Sequence, residues 1–189
     1  KHQVCIGKTI IGKEKPFING GPCTVDPNSP QLYIETAHAL KEAGVDALRG
    51  GVWKPRTNPY SYQGDTKAIE IILRAKEETG LPIDIEVMDS AQLRIALDSK
   101  VDILQVGTRN ALNYSLLKEI GEKSAGTNSS VLLKRGRHVA SPDEFIAAAE
   151  YLVASGNPNV MLCPRGTTPP LDGYRNHPKT CSKSYNKMM

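Results

Sequence analysis

No apolar run in this 189-residue chain approaches the roughly 18 residues of a membrane span. The first fifteen residues, Lys1 to Lys15, also lack the compact apolar stretch and small-residue cleavage site of a secretory signal. The reading is therefore a cytoplasmic protein with no membrane partner. The four cysteines, Cys5, Cys23, Cys163 and Cys181, form no CxxC pair and no finger spacing. A disulfide framework is not expected in that compartment, which leaves a cysteine free to act singly as a metal ligand. Charge of one sign is not in excess: 24 Lys and Arg face 20 Asp and Glu, a net +4. That balance, with its basic residues spread out, excludes a general nucleic-acid binder and fits a small anionic ligand better. Neither GxGxxG nor a Walker A pattern occurs, so the usual dinucleotide and P-loop signatures are missing.

What is present is alternation. Short apolar segments at Phe17 to Asn19, Ala47-Leu48, Ile83 to Val87, Val101 to Val106, Val131 to Leu133 and Val160 to Leu162 read as six strands. Helical spacing covers Pro30 to Ala43, Thr66 to Thr79, Ser90 to Asp98, Tyr114 to Glu122, and Ser141 to about Ala154. Ser90 reads as the cap of the third helix, and Ser141-Pro142-Asp143-Glu144 is a strong start for the fifth. Alternation of this kind predicts an α/β fold with a parallel sheet and helices outside it. Two architectures meet that description, a (β/α)8 barrel of the TIM type and an open doubly wound sheet. The missing GxGxxG lowers the second. About six βα units are expected, over residues 16–166. Before them, residues 1–15 read as a hairpin from Val4 to Ile11, with Gly12 as its turn, able to plug one barrel end. Residues 167–189 hold prolines and no apolar period, and read as an irregular polar tail.

The polar residues gather where strands end. Cys23 follows the first strand; Arg49 and Lys54-Pro55-Arg56-Thr57 the second; Glu86 closes the third; Thr108-Arg109, Lys134 and Arg165 follow the rest. A single Lys or Arg past a strand is an ordinary solvated loop residue. In a barrel, however, all these ends meet on one face, where barrel enzymes carry their sites. Six cations on one rim make an anion site, and arginine supplies a bidentate fork for phosphate or carboxylate. The adjoining glycines, among them Gly50, Gly51, Gly107 and Gly136, read as places where backbone amides approach a phosphate.

The strings GPCTV at 21–25, LRGGVWKPRTNPYSYQG at 48–64, EVMD at 86–89, QVGTRN at 105–110, LLKRG at 132–136 and LCPRG at 162–166 resemble the DAHP synthases. They match the small bacterial type with a bare barrel core, in order, over nearly the whole chain to about Asn176. The KPRT element sets the chain apart from the sister family, KDO8P synthase, which carries a Lys-Ala-Asn type sequence there. The resemblance implies a transferase of the shikimate pathway, feeding aromatic amino-acid biosynthesis. Its aldol-type reaction condenses phosphoenolpyruvate with erythrose 4-phosphate and releases phosphate. It also implies roles. Arg49, Lys54, Thr108, Arg109, Lys134 and Arg165 would hold phosphoenolpyruvate, and Arg56 and Thr57 the phosphate of the aldose. Lys54 would also give a proton to the aldehyde oxygen, and Glu86 would place the attacking water. Cys23 would be one of four ligands of a divalent metal (manganese, iron, cobalt or zinc type). The other three, a His, a Glu and an Asp, are implied on two further barrel units that these 189 residues do not contain. His138, Asp172 and His177 are the remaining donors of the right type, while a lone thiolate is a poor site for a hard divalent ion. A second expectation follows, a non-catalytic phosphoenolpyruvate-binding barrel or partner subunit without a metal site. An incomplete barrel also exposes strand edges, which predicts a homo-oligomer or a covering partner chain.

Overall fold

A computed structural model describes residues 3–7, 9–12, 16–136, 139 and 141–165. The polar tail, His138, Asp172 and His177 lie outside the described residues. The hairpin comes first, β1 (Val4–Ile6) against β2 (Thr9–Ile11). Six parallel strands then alternate with five helices: β3 (Asn19–Gly20), α1 (Pro30–Glu42), β4 (Ala47–Arg49), α2 (Ala68–Thr79), β5 (Ile83–Val87), α3 (Ser90–Asp98), β6 (Ile103–Val106), α4 (Tyr114–Ser124), β7 (Ser130–Lys134), α5 (Pro142–Ala154) and β8 (Val160–Cys163). Among the described residues no helix is long and apolar enough to cross a membrane.

Strand order decides between the two architectures. It runs β3-β4-β5-β6-β7-β8 without a reversal, and every pair is parallel. A doubly wound sheet would reverse at a switch point; this sheet curls one way into a half-barrel. Each strand therefore has an outer face against the helices and an inner face within the curl. On β5, Ile83, Ile85 and Val87 join the main helix-backed core, while Asp84 and Glu86 alternate with them on the inner face. By the same alternation the inner face also carries Asn19, Ala47, Arg49, Ile103, Gln105, Leu132, Lys134 and Met161.

The helices supply the other wall of the core. α5 opens at Ser141, whose side chain accepts from the Glu144 N–H at 3.1 Å, with Pro142 at the first helical position. It buries Phe145, Ala148, Ala149 and Leu152, one stripe at helical spacing. α3 differs from the sequence expectation at its cap. Asp89, not Ser90, is the N-cap and accepts from the Gln92 N–H at 2.9 Å, while Ser90 is the first helical residue and its hydroxyl donates to Glu119. Both residue types cap well, so the sequence alone does not choose between neighbours.

The hairpin turn also falls elsewhere. The chain reverses at Gly7, with φ 56°, because pairing of Ile6 with Thr9 leaves a two-residue connection that requires the left-handed region. Gly12 follows β2 instead. Val4 and Ile6 pack with Ala47 and Ile103, the first residues of β4 and β6, and against Phe17, Leu132 and Met161. The hairpin thus lies across the strand starts, and the strand ends stay open.

Candidate active site

At those open ends lies a cavity of about 610 Å³, lined by all ten residues singled out above: Cys23, Arg49, Lys54, Arg56, Thr57, Glu86, Thr108, Arg109, Lys134 and Arg165. They come from six successive strand ends, so their convergence is a product of the curl. Six are cations and one is a carboxylate, which makes the wall strongly positive.

Two close approaches of backbone build this rim, and both require glycine. A Cβ on Gly51 would stand 2.0 Å from the Cys23 carbonyl oxygen. Its absence lets the loop after β3 lie on the loop after β4, joined by Val25 N–H to the Gly51 carbonyl at 2.9 Å. A Cβ on Gly107 would stand 1.9 Å from Glu86 Oε1. These glycines were expected to admit a phosphate to backbone amides. Protein atoms occupy the space a side chain would need, a packing reason for glycine that stands beside that expectation. Gly50 faces Ile72 and Tyr33, and Gly136 faces Thr108, Ala111 and Val139.

Glu86 anchors the floor. It is 7% exposed and accepts from Lys54 Nζ at 3.1 Å and from Gln105 Nε2 at 3.2 Å; Lys54 is itself only 8% exposed. A buried pair of this kind fixes both groups, since little water reaches either charge from the cavity. Gly107→Ala should therefore push the Glu86 carboxylate off Lys54 and destabilise the chain by roughly 1–3 kcal/mol. Urea unfolding measures this, and the added methyl should cost less in a Glu86→Ala background.

The remaining side chains are held by bonds across loops. Arg56 donates from Nε to the Tyr62 carbonyl and from Nη2 to Thr24 Oγ1, both at 3.0 Å. Arg109 Nη2 donates to Thr57 Oγ1 at 3.1 Å, so residues from the ends of β4 and β6 are tied together. Burial lowers the pKa of Lys134, as does the charge of Arg49, against Asp84 and Cys163, which raise it. Arg165 is likewise lowered by burial. Both shifts come first from burial, with the charge of Arg49 adding to them, and mark cations drawn partly out of water.

Cys23 is exposed, with Arg49 Nη2 3.8 Å from its sulfur. Partial burial raises its thiol, but the hydrogen bond and charge of Lys54, and those of Arg49, outweigh this and hold it below the ordinary value. The described residues do not make a metal site around it. Its charged neighbours are cations, and no group of three or more His, Cys, Asp or Glu side chains gathers among them. Dependence on a divalent metal is known for DAHP synthases as a family.

Three inner-face residues escaped the sequence reading: Asn19, Asp84 and Gln105. Asn19 Nδ2 donates to Asp84 Oδ2 at 2.7 Å, one layer beneath the cavity. The one signal was a pair of acids two apart in an otherwise apolar strand, Asp84 and Glu86.

The comparisons agree with this geometry. The family model of the "DAHP synthetase I family" matches residues 2–178. A phospho-2-dehydro-3-deoxyheptonate aldolase of Thermotoga maritima is 40% identical over 162 residues, 85% of this chain and 46% of that protein. A 2-dehydro-3-deoxyphosphooctonate aldolase of Methylococcus capsulatus is 30% identical over 175 residues, 88% of this chain and 58% of that protein. The crystal structure of the Thermotoga maritima DAHP synthase superposes with a TM-score of 0.82 at 38% identity, covering 93% of this chain and 49% of that one. The chain thus spans about half the length of the relatives it matches. Its curled parallel sheet, its cation-lined strand ends and its matched sequence lead to one statement: the chain belongs to the DAHP synthetase I family.

Proposed function

We propose that this chain carries the phosphoenolpyruvate cradle and aldose-phosphate end of a DAHP synthase, joining phosphoenolpyruvate to erythrose 4-phosphate at the entry to the shikimate pathway. The observation that carries this reading is the convergence of six cations on one cavity floored by the Lys54–Glu86 pair. Both substrates are multiply anionic and repel one another, and a wall of fixed positive charge offsets that repulsion. In the reaction a bond forms from C3 of phosphoenolpyruvate to the aldehyde carbon. Water adds at C2, and the C2–O bond to phosphate breaks with loss of inorganic phosphate. Arg49, Thr108, Arg109, Lys134 and Arg165 hold the enol phosphate and its carboxylate. Lys54 gives its proton to the developing alkoxide, and Glu86, already bonded to Lys54, receives the proton of the attacking water. Arg56 and Thr57 take the aldose phosphate. The relatives' names imply products of seven and eight carbons. With three carbons from phosphoenolpyruvate, the acceptor has four or five, and the greater similarity to the heptonate enzyme favours four.

Cys23 is the donor this chain would bring to a divalent metal, with the other ligands supplied from outside the described residues. Both substrates are phosphate esters that do not cross membranes unaided, which supports a cytoplasmic place of action. A covering chain, a second copy or a partner, belongs to the reading. Among the described residues β8 is an edge strand, and beside it Ile146, Ala149, Val153, Val160 and Leu162 line an apolar groove.

The test is phosphoenolpyruvate consumption by the purified chain with erythrose 4-phosphate and manganese, beside thermal unfolding with and without phosphoenolpyruvate. Aldose-dependent consumption abolished by EDTA is the expected result once a second copy or a partner chain supplies the metal's other ligands. Thermal protection without turnover would favour a non-catalytic binding subunit instead. Absence of both would overturn the reading.

A further inference from the structure

The layer beneath the cavity holds a carboxylate that the cradle chemistry leaves unused. Asp84 is 1% exposed, and the one hydrogen bond of its side chain among the described residues is the one from Asn19. Asp84 Oδ1, Asn19 Oδ1 and Gln105 Oε1 are all buried, and none of the three finds a donor among the described residues. Three acceptors without a donor, on the inner faces of β3, β5 and β6, are an unbalanced set. One proton reduces the imbalance: a carboxylic acid donates where a carboxylate only accepts, which turns one orphaned acceptor into a donor for another.

The charged groups around Asp84 pull it the other way. Arg49 on β4 is its register partner, and Lys134 reaches it from β7. Glu86 lies on its own strand, and the Tyr33 hydroxyl of α1 is within range of its charge. β3 and β6 offer only the neutral Asn19, Ile103 and Gln105. Burial pushes the carboxyl up to about 6, against the Asn19 bond and the charges of Lys134 and Arg49, which lower it, and with Glu86, which raises it. Arg49 and Lys134 therefore face two ways, toward Asp84 below and toward the cavity above. An anion bound above competes for the same cations and repels a carboxylate below.

We propose that Asp84 is a positioning residue that takes up a proton when a multiply anionic ligand occupies the cradle, so that Arg49 and Lys134 face that ligand without a competing carboxylate beneath them. The inference rests on the proposed reading of the cradle. By linkage, each unit by which the ligand raises the Asp84 pKa makes binding about tenfold tighter below the titration range than above it.

The test is calorimetric titration of the full chain with phosphoenolpyruvate, at about pH 6, in two buffers of unlike ionisation enthalpy. The wild-type chain should take up roughly half a proton more per bound ligand than Asp84→Asn. Ionisation of the ligand's own phosphate is common to both proteins and cancels. Binding with equal proton uptake in the two proteins overturns the inference. No binding heat in the wild type overturns the cradle reading itself, and the inference with it. Should Asp84→Asn fail to fold, the infrared carbonyl band of protonated carboxylic acid in the wild type decides. The band should grow when phosphoenolpyruvate is added at about pH 6, and an unchanged band overturns the proposal.

Discussion

Replacing Asp84 by asparagine should raise the stability of the folded chain at about pH 8 by about 3 kcal/mol, and leave it unchanged below about pH 3. The folded carboxyl is raised from its ordinary 3.8 to about 6, chiefly by burial. A raised carboxyl binds its proton more tightly when folded than when unfolded. Its contribution is therefore full at low pH and is lost as pH climbs from about 4 through about 6. Two units at 1.36 kcal/mol each give the size, and full enclosure means no discount for solvent screening. Asparagine keeps the acceptor for Asn19 Nδ2 and adds an amide donor for an orphaned oxygen. Urea midpoints of both proteins across this pH range check the prediction. Parallel curves would show that Asp84 titrates as an ordinary carboxyl.

Lys54→Met should cost about 3–5 kcal/mol, the range for stripping one partner from a buried ion pair. The loss is less the attraction itself than the Glu86 carboxylate left nearly buried with Gln105 as its remaining donor among the described residues. Removing the charge at both positions should recover much of it. Lys54→Met combined with Glu86→Gln is expected to be more stable than Lys54→Met alone, though with no cradle function, since both groups line the cavity. Chemical denaturation of the two single variants and the double variant gives the coupling directly. A double variant as unstable as the sum of the singles would mean that the pair contributes nothing through contact.

Much of this site was legible because barrels put chemistry at strand ends. Arg49, Arg109, Lys134 and Arg165 each follow or close an apolar segment, and a Gly or Pro beside them marks the turn. The curl then does the gathering, and the sequence need only place each residue at its own strand end. The inner layer was not legible for the opposite reason. β5 is buried at all five positions, so burial itself shows no alternation to tell inner from outer. Asn19 looked like the end of an apolar segment, and Gln105 like a break in one. Only pairing across strands, Glu86 beside Gln105 and Asp84 beside Arg49, shows that they share one interior. The packing role of Gly107 was missed through the same blindness. Its neighbour in space, Glu86, lies twenty-one residues away, and no local pattern announces it.

Strict succession of strands has a consequence for how the cavity comes into being. Every strand from β4 to β8 pairs with the one made just before it, so within the parallel sheet no strand waits for a distant partner; the N-terminal hairpin, which packs on Ile103, Leu132 and Met161, is the exception. Contacts that are near in the chain close quickly. During synthesis the wall can then be raised one panel at a time, in the order Cys23, Arg49 and Lys54, Glu86, Arg109, Lys134, Arg165. The buried Lys54–Glu86 pair forms at the second and third panels, before Lys134 and Arg165 have left the ribosome. The Lys54–Glu86 floor is thus complete before the later cations, Arg109, Lys134 and Arg165, arrive to finish the wall.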